Sequence, residues 1–301
     1  SESDSMRTDE PQTIRLADYR PPAFLVDDVA LTFDLDDHAT VVEAALKLRR
    51  NPAFGDDNAP LRLDGEALEI LAMSLDDEAL DPGRYTIDAD GMTIADVPDA
   101  FTLTTRVRTD PANNTRLEGL YRSGSAFCTQ CEAEGFRRIT YFPDRPDVMA
   151  TFRVTIRADR EACPVLLSNG NLAEEGSLDD GRHYAVWEDP HPKPSYLFAL
   201  VAGRLEALED SFRTQSGREV ALFIYTEPDQ SARAVYAMDA LKCSMKWDEE
   251  VFGLEYDLDR FNIVAVSDFN MGAMENKSLN VFNSKYILAD PETATDSDYA
   301  G

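Results

Sequence analysis

Val29-Ala-Leu-Thr-Phe-Asp-Leu35 alternates apolar with polar or small residues, and Val42-Glu-Ala-Ala-Leu-Lys-Leu48 does the same beyond a turn supplied by Asp36-Asp37. A period of two sends alternate side chains to opposite faces, so each run reads as a half-buried strand. Two such runs joined by a short polar turn predict an antiparallel pair. The pattern recurs at Phe101, Leu103, Thr105 and Val107, and again at Phe152, Val154 and Ile156. Leu197 to Val201 is more continuously apolar and reads as a buried strand. Asp-Gly pairs predict two hairpins: Asp64-Gly65 between Leu61-Arg-Leu63 and the run Ala67 to Met73, and Asp90-Gly91 between Tyr85-Thr-Ile87 and Met92-Thr-Ile94. Regular strands with such turns, and no internal repeat, argue for an all-β unit of antiparallel sheets.

The pattern changes after about Gly203. Val220-Ala-Leu-Phe-Ile-Tyr225 is another strand, and then Ser231 is placed to cap a long helix. Met238, Leu241, Met245 and Phe252 share one helical face, and Gly253 is a C-terminal stop. Residues 1–14 are polar and aperiodic and are expected to be disordered. The chain therefore divides into a short tail (1–14), an all-β domain (15–204) and a β-rich segment with one long helix (205–301).

The formal net charge of −28 makes nucleic acid a poor partner. The acidic residues fall in clusters such as Asp56-Asp57 and Asp76-Asp77-Glu78. Two readings stand: a protein adapted to salt, or an acidic cytosolic one. Stability that failed to rise between low and molar salt would count against the first. No apolar run is long enough to span a membrane, and the polar N-terminus is unlike a signal peptide. Four cysteines are too few for a disulfide framework at this length. Cys128 and Cys131 lack the second pair, or suitably spaced histidines, that zinc would need, and read as reduced thiols of a cytoplasmic protein.

Met271-Gly-Ala-Met-Glu-Asn-Lys277 lies between two strand-like runs, Ile263-Val-Ala-Val266 and Leu279-Asn-Val-Phe282. Gly272 and Ala273 would let another backbone approach, and Glu275 is a lone carboxylate among small and apolar residues. On the residues alone, this is either an edge strand with a solvated Glu or a grip for the backbone and free amine of a peptide end.

Gly272-Ala-Met-Glu-Asn276 matches the GAMEN exopeptidase motif of the M1 family of zinc aminopeptidases. Thr129-Gln-Cys-Glu-Ala-Glu-Gly-Phe136, Tyr141-Phe-Pro-Asp-Arg-Pro146, Leu167-Ser-Asn-Gly170, Pro192-Lys-Pro194, Tyr196-Leu-Phe198, Met245-Lys-Trp-Asp-Glu249 and Asn283-Ser-Lys-Tyr286 resemble that family too, in its order. The resemblance implies a saddle-like N-terminal β domain followed by the β-rich start of a thermolysin-like catalytic domain. It implies that Glu132 and Glu275 bind the substrate's α-amine. Gly272 and Ala273 would offer backbone groups to the peptide, flanked by Met274 and Asn276 of the motif. Gln130, Met271 and Tyr286 would lie at the pocket for the first side chain.

One departure stands against these agreements. The family's zinc site is His-Glu-x-x-His plus a later Glu, and His38, His183 and His191 form no such motif. The expectation is the front part of an aminopeptidase, with the zinc ligands beyond Gly301, no catalytic residue present and no cofactor of its own. The parent would act on peptides with a free N-terminus, off the membrane and as a monomer. The chain alone would be inactive and would self-associate through apolar surface. The competing reading is a naturally short β-rich protein that binds peptide N-termini without cutting them.

Overall fold

Each core strand alternates because one face of its sheet is dry. A computed structural model describes residues 16–267, 269 and 273–288; Met271, Gly272 and the terminal segments lie outside the described residues. Phe24–Asp34 and Thr40–Arg50 form the centre of an eight-stranded sheet. Val29 faces Leu46, Leu31 faces Ala44 and Phe33 faces Val42, all buried. The turn between them is held by the Asp36 carboxylate, which accepts from the backbone N–H groups of His38 (3.0 Å) and Ala39 (2.9 Å). From one edge to the other the sheet runs Asn171–Ser177, Arg182–Pro194, Met149–Asp159, Phe24–Asp34, Thr40–Arg50, Ala100–Thr109, Glu69–Leu75 and Glu78–Ala79.

The sheet departs from the expected antiparallel order at one place: Phe24–Asp34 and Met149–Asp159 run parallel. Alternation is the same in either direction, and with over a hundred residues between these strands no tight turn sets their direction. The Asp90-Gly91 hairpin forms as expected, with Tyr85–Ile87 against Gly91–Ile94. The Asp64-Gly65 hairpin does not. Leu61–Asp64 pairs with Gly91–Ile94, whereas Glu69–Leu75 joins the large sheet. Gly65 serves a close approach instead: a Cβ there would lie 2.3 Å from the Tyr141 ring. Leu197 to Val201 is also not one strand. A tight turn, Ser195–Leu197, precedes the strand Leu200–Gly203, because Asn169 takes the backbone groups of Leu197 and Ala199 for itself.

A four-stranded antiparallel sheet, in the order Val165–Ser168, Leu200–Gly203, Ala126–Gln130 and Gly119–Ser123, packs into the same core. Phe136 is its aromatic centre, with ring centroids 5.0 Å from Phe142 and 5.4 Å from Phe198. The last sheet has five strands: Glu206–Arg213, Glu219–Thr226, Arg260–Val266, Leu279–Asn283 and, at the edge, Ala273–Met274. Glu219–Thr226 and Arg260–Val266 are parallel, so the chain must cross over between them, and the helix Val235–Phe252 does this.

Ser231 does not cap that helix. A 3-10 turn, Ser231–Ala234, comes first, and Ala234 precedes the helix without a side-chain cap. Met238 and Met245 face inward, but Phe252 does not: it is 59% exposed. The inward position of the last turn belongs to Glu249, which accepts from the Gln215 N–H at 3.3 Å. Gly253 stops the helix as expected, in the left-handed region at φ 64°.

Candidate functional site

Gln130 ends its strand with a buried side chain, and its Oε1 accepts from the Glu132 N–H at 3.1 Å. This local bond turns the chain so that Glu132 stands exposed at the tip of a small loop. The Glu132–Ala133 peptide is cis. The loop closes where the Gly135 N–H reaches the Cys131 carbonyl at 2.9 Å, and any larger residue at Gly135 would strike the Gln130 carbonyl. Cys128 and Cys131 are buried and are not joined in a disulfide, and burial pushes the Cys131 thiol well above its ordinary pKa.

Ala273 and Met274 form an edge strand against Phe282 and Val281. Met274 is buried, so it packs beneath the edge, while Glu275 is exposed. Asn276 is 3% exposed; its Nδ2 donates to the Met274 carbonyl at 3.2 Å, and its Oδ1 has no partner among the described residues. Tyr286 sits half exposed in the turn Ser284–Tyr286, with the Lys285 Nζ 4.7 Å from its ring centre.

Hydrogen bonds tie the two segments to one corner of the molecule. The Thr129 hydroxyl accepts from the Leu200 N–H at 2.8 Å. Next to Leu200, the Ala199 N–H donates to Asn169 Oδ1 at 2.8 Å, and Asn169 Nδ2 donates to the Asn276 carbonyl at 2.8 Å. Gln130 and Glu132 on one side, and Glu275 and Asn276 on the other, therefore follow from neighbouring anchors. The charged groups beside this corner are paired. Asp257 holds both Lys277 (3.5 Å) and His191 (3.3 Å). Lys193 is buried against Asp189 (3.1 Å) and lies 4.0 Å from the centre of the Phe152 ring. Burial lowers the Lys193 pKa to about 8, against the opposing pull of Asp189.

Sequence reasoning assigned no chemistry to Asn169, Ser278, Asp189 or Lys193. The signal was present in Leu167-Ser-Asn-Gly170 and Pro192-Lys-Pro194, but neither stretch has a pattern that announces a buried polar contact. A cleft of about 490 Å³ lined by His38, Glu69, Arg108, Asp110 and Tyr141 lies elsewhere, and no candidate residue lines it. The residues present do not fit zinc. His38 faces Asp110, His183 faces the Cys163 carbonyl and His191 faces Asp257, and the described residues hold no cluster of His, Cys, Asp and Glu able to bind a metal.

The fold is mainly β, with Ala273–Met274 at a sheet edge and Glu132 exposed on a loop. The Peptidase M1 N-terminal domain model matches residues 57–197, and the Peptidase family M1 domain model matches residues 236–300. The chain belongs to the M1 peptidase family. It is 60% identical over 294 residues to aminopeptidase N of Caulobacter vibrioides, covering 98% of this chain and 34% of that protein. It is 54% identical over 293 residues to aminopeptidase N of Escherichia coli, covering 97% and 33%. The crystal structure of Legionella pneumophila aminopeptidase A in complex with aspartic acid superposes with a TM-score of 0.91 at 37% identity, over 95% of this chain and 34% of that one. The chain thus spans about a third of the length of these relatives. Among the described residues, no helix is long and apolar enough to cross a membrane.

Proposed function

We propose that this chain carries the amine-recognition part of an aminopeptidase that releases N-terminal residues from peptides. Glu132 and Glu275 accept the N–H groups of the substrate's α-ammonium. Charge-assisted bonds of this kind are roughly twice as strong as neutral ones. Two carboxylates from separate segments fix where the peptide must begin, which rejects internal bonds. Ala273, with Gly272 before it, offers the sheet edge to the substrate backbone. Gln130, Met271 and Tyr286 border the first side chain, and Met274 and Asn276 hold the edge from beneath. The observation that carries this reading is the run of hydrogen bonds from Thr129 through Leu200, Ala199 and Asn169 to Asn276.

The reading divides the chain near residues 204 and 205, with the edge strand on the catalytic side of that division. It gives the parent enzyme a zinc ion and gives the hydrolytic step to no described residue. Four cysteines, none in a disulfide among the described residues, support a reducing, cytoplasmic setting. The test is hydrolysis of an alanine anilide by this chain, with added zinc and after chelation. Absence of turnover in both conditions is expected. Zinc-dependent turnover would overturn the assignment. Alongside it, Glu132→Gln and Glu275→Gln should each weaken binding of free-amine trialanine by roughly tenfold, the scale of one charge-assisted bond.

A further inference from the structure

We infer that Asn169 is a positioning residue for the candidate amine site: its side-chain amide clamps the Ala273–Asn276 edge to the sheet corner that presents Gln130 and Glu132. The inference rests on the proposed amine recognition and deepens it.

Asn169 is 2% exposed and makes three bonds. Oδ1 accepts from Ala199 N–H at 2.8 Å; Nδ2 donates to the Leu197 carbonyl at 3.1 Å and to the Asn276 carbonyl at 2.8 Å. The partners settle the orientation of the amide, because the flipped form would set oxygen against two carbonyls and nitrogen against an N–H. The Asn276 carbonyl also accepts from Leu279 N–H at 3.2 Å, so the residue after Glu275 is held from both sides. A second strut runs parallel to the first: the Gly170 N–H donates to the Ser278 hydroxyl. The corner is closely packed. Gly170 has φ +93°, and an added Cβ would lie 2.0 Å from the Glu188 carbonyl.

This geometry matters for a two-carboxylate grip. A binding constellation works only while its groups are held to within about 0.5 Å of the productive geometry. Glu132 takes its position from the strand that Thr129 locks to Leu200. Glu275 takes its position from Asn276, which Asn169 locks to the neighbouring Ala199. Asn169 joins the second anchor to Ala199, the residue next to Leu200 in the first, so its loss would free one carboxylate to move relative to the other.

The test uses the 301-residue chain and NMR titration with two probes, trialanine and N-acetyl-trialanine. The readout is the ratio of their affinities. A residue that merely supports the fold would weaken both probes alike, whereas a positioning residue changes the ratio. Asn169→Ala should lower the preference for the free amine by roughly tenfold, with most of the loss in trialanine binding. Asn169→Asp keeps the acceptor for Ala199 but loses both donors, and should show the same loss. Ser278→Ala removes only the second strut and should lower the ratio by about threefold; it carries the test if the Asn169 variants do not fold. Unchanged ratios in the folded variants would overturn the inference. Equal affinity of the wild-type chain for both probes would overturn the amine reading itself, and this inference with it. That failure is seen before any variant is made.

Discussion

The aromatic core beneath the large sheet and the helix Val235–Phe252 carry similar apolar side chains, but they are buried to opposite extents. Phe33, Phe136, Phe142, Phe198 and Trp187 are at most 1% exposed. On the helix, Trp247, Val251 and Phe252 are 54%, 55% and 59% exposed. The sheets close on one another, so every inward position of an alternating strand finds a partner. The helix has one face on its sheet, through Met238 and Met245, and leaves Trp247, Val251 and Phe252 exposed as an apolar stripe. Apolar content alone therefore says little about stability; what matters is whether a second layer is present to receive it.

The strongest way to break this comparison is to empty the core of the first region. Phe136 contacts three other phenylalanine rings at centroid distances of 5.0 to 6.1 Å. Phe136→Ala should cost about 3–5 kcal/mol, from lost transfer energy plus the cavity left behind. Urea unfolding followed by near-ultraviolet circular dichroism would measure it. A loss below about 1 kcal/mol would mean that this core relaxes as freely as a surface.

The next effect comes from the charge enclosed in that same core. Lys193 has its pKa lowered from 10.5 to about 8 by burial. Between those values the unfolded chain holds a proton that the folded chain has released, so stability rises with pH across that window. The gain reaches up to about 3 kcal/mol, at 1.36 kcal/mol per pKa unit. Other groups oppose it: burial raises the Cys131 and Tyr256 values, which costs stability as pH rises. These groups are common to wild type and Lys193→Met, so the difference between their stability curves isolates Lys193. The variant should lose the rise between pH 8 and 10.5; parallel curves would show that the buried lysine is not linked to folding.

The sequence was legible where local chemistry settles the outcome. Alternation placed Phe24–Asp34, Thr40–Arg50, Ala100–Thr109 and Met149–Asp159, and Asp90-Gly91 gave its hairpin. It was illegible where a choice of partner decides. Asp64-Gly65 has the same turn chemistry as Asp90-Gly91, but Leu61–Asp64 pairs with Gly91–Ile94 while Glu69–Leu75 joins the large sheet. The parallel pairing of Phe24–Asp34 is hidden for the same reason. At the candidate site, Glu132 and Glu275 stood out through the motifs around them. Asn169 and Asn276 lie 107 residues apart and leave no periodic trace of their hydrogen bond. Phe252 was misplaced because spacing marks a helical face without saying which residue of the last turn the sheet will accept; Glu249 took that place.

Smaller effects sharpen the helical side. Gly253 adopts φ 64°, and its N–H bonds the Glu249 carbonyl at 3.0 Å. Gly253→Ala should cost about 1 kcal/mol, the penalty of a Cβ in the left-handed region. Thermal unfolding would show it, and no change would place the stop elsewhere in the last turn.

The smallest effect on stability should come from Trp247, whose large ring buries little: it touches Phe252 edge-on at 5.1 Å, with both residues mostly exposed. Trp247→Ser should change unfolding free energy by no more than about 0.5 kcal/mol, as expected for a surface position. Its effect on association should be larger. A net charge of −28 holds copies apart at low salt, but at about 1 M salt the Debye length falls to roughly 3 Å and the apolar stripe is free to pair. Sedimentation velocity should show concentration-dependent association of the wild type under those conditions and less of it for Trp247→Ser. Association that persists in the variant would move the sticky surface away from the helix. No association at all in the wild type would remove the contrast in behaviour, leaving the two regions different in burial alone.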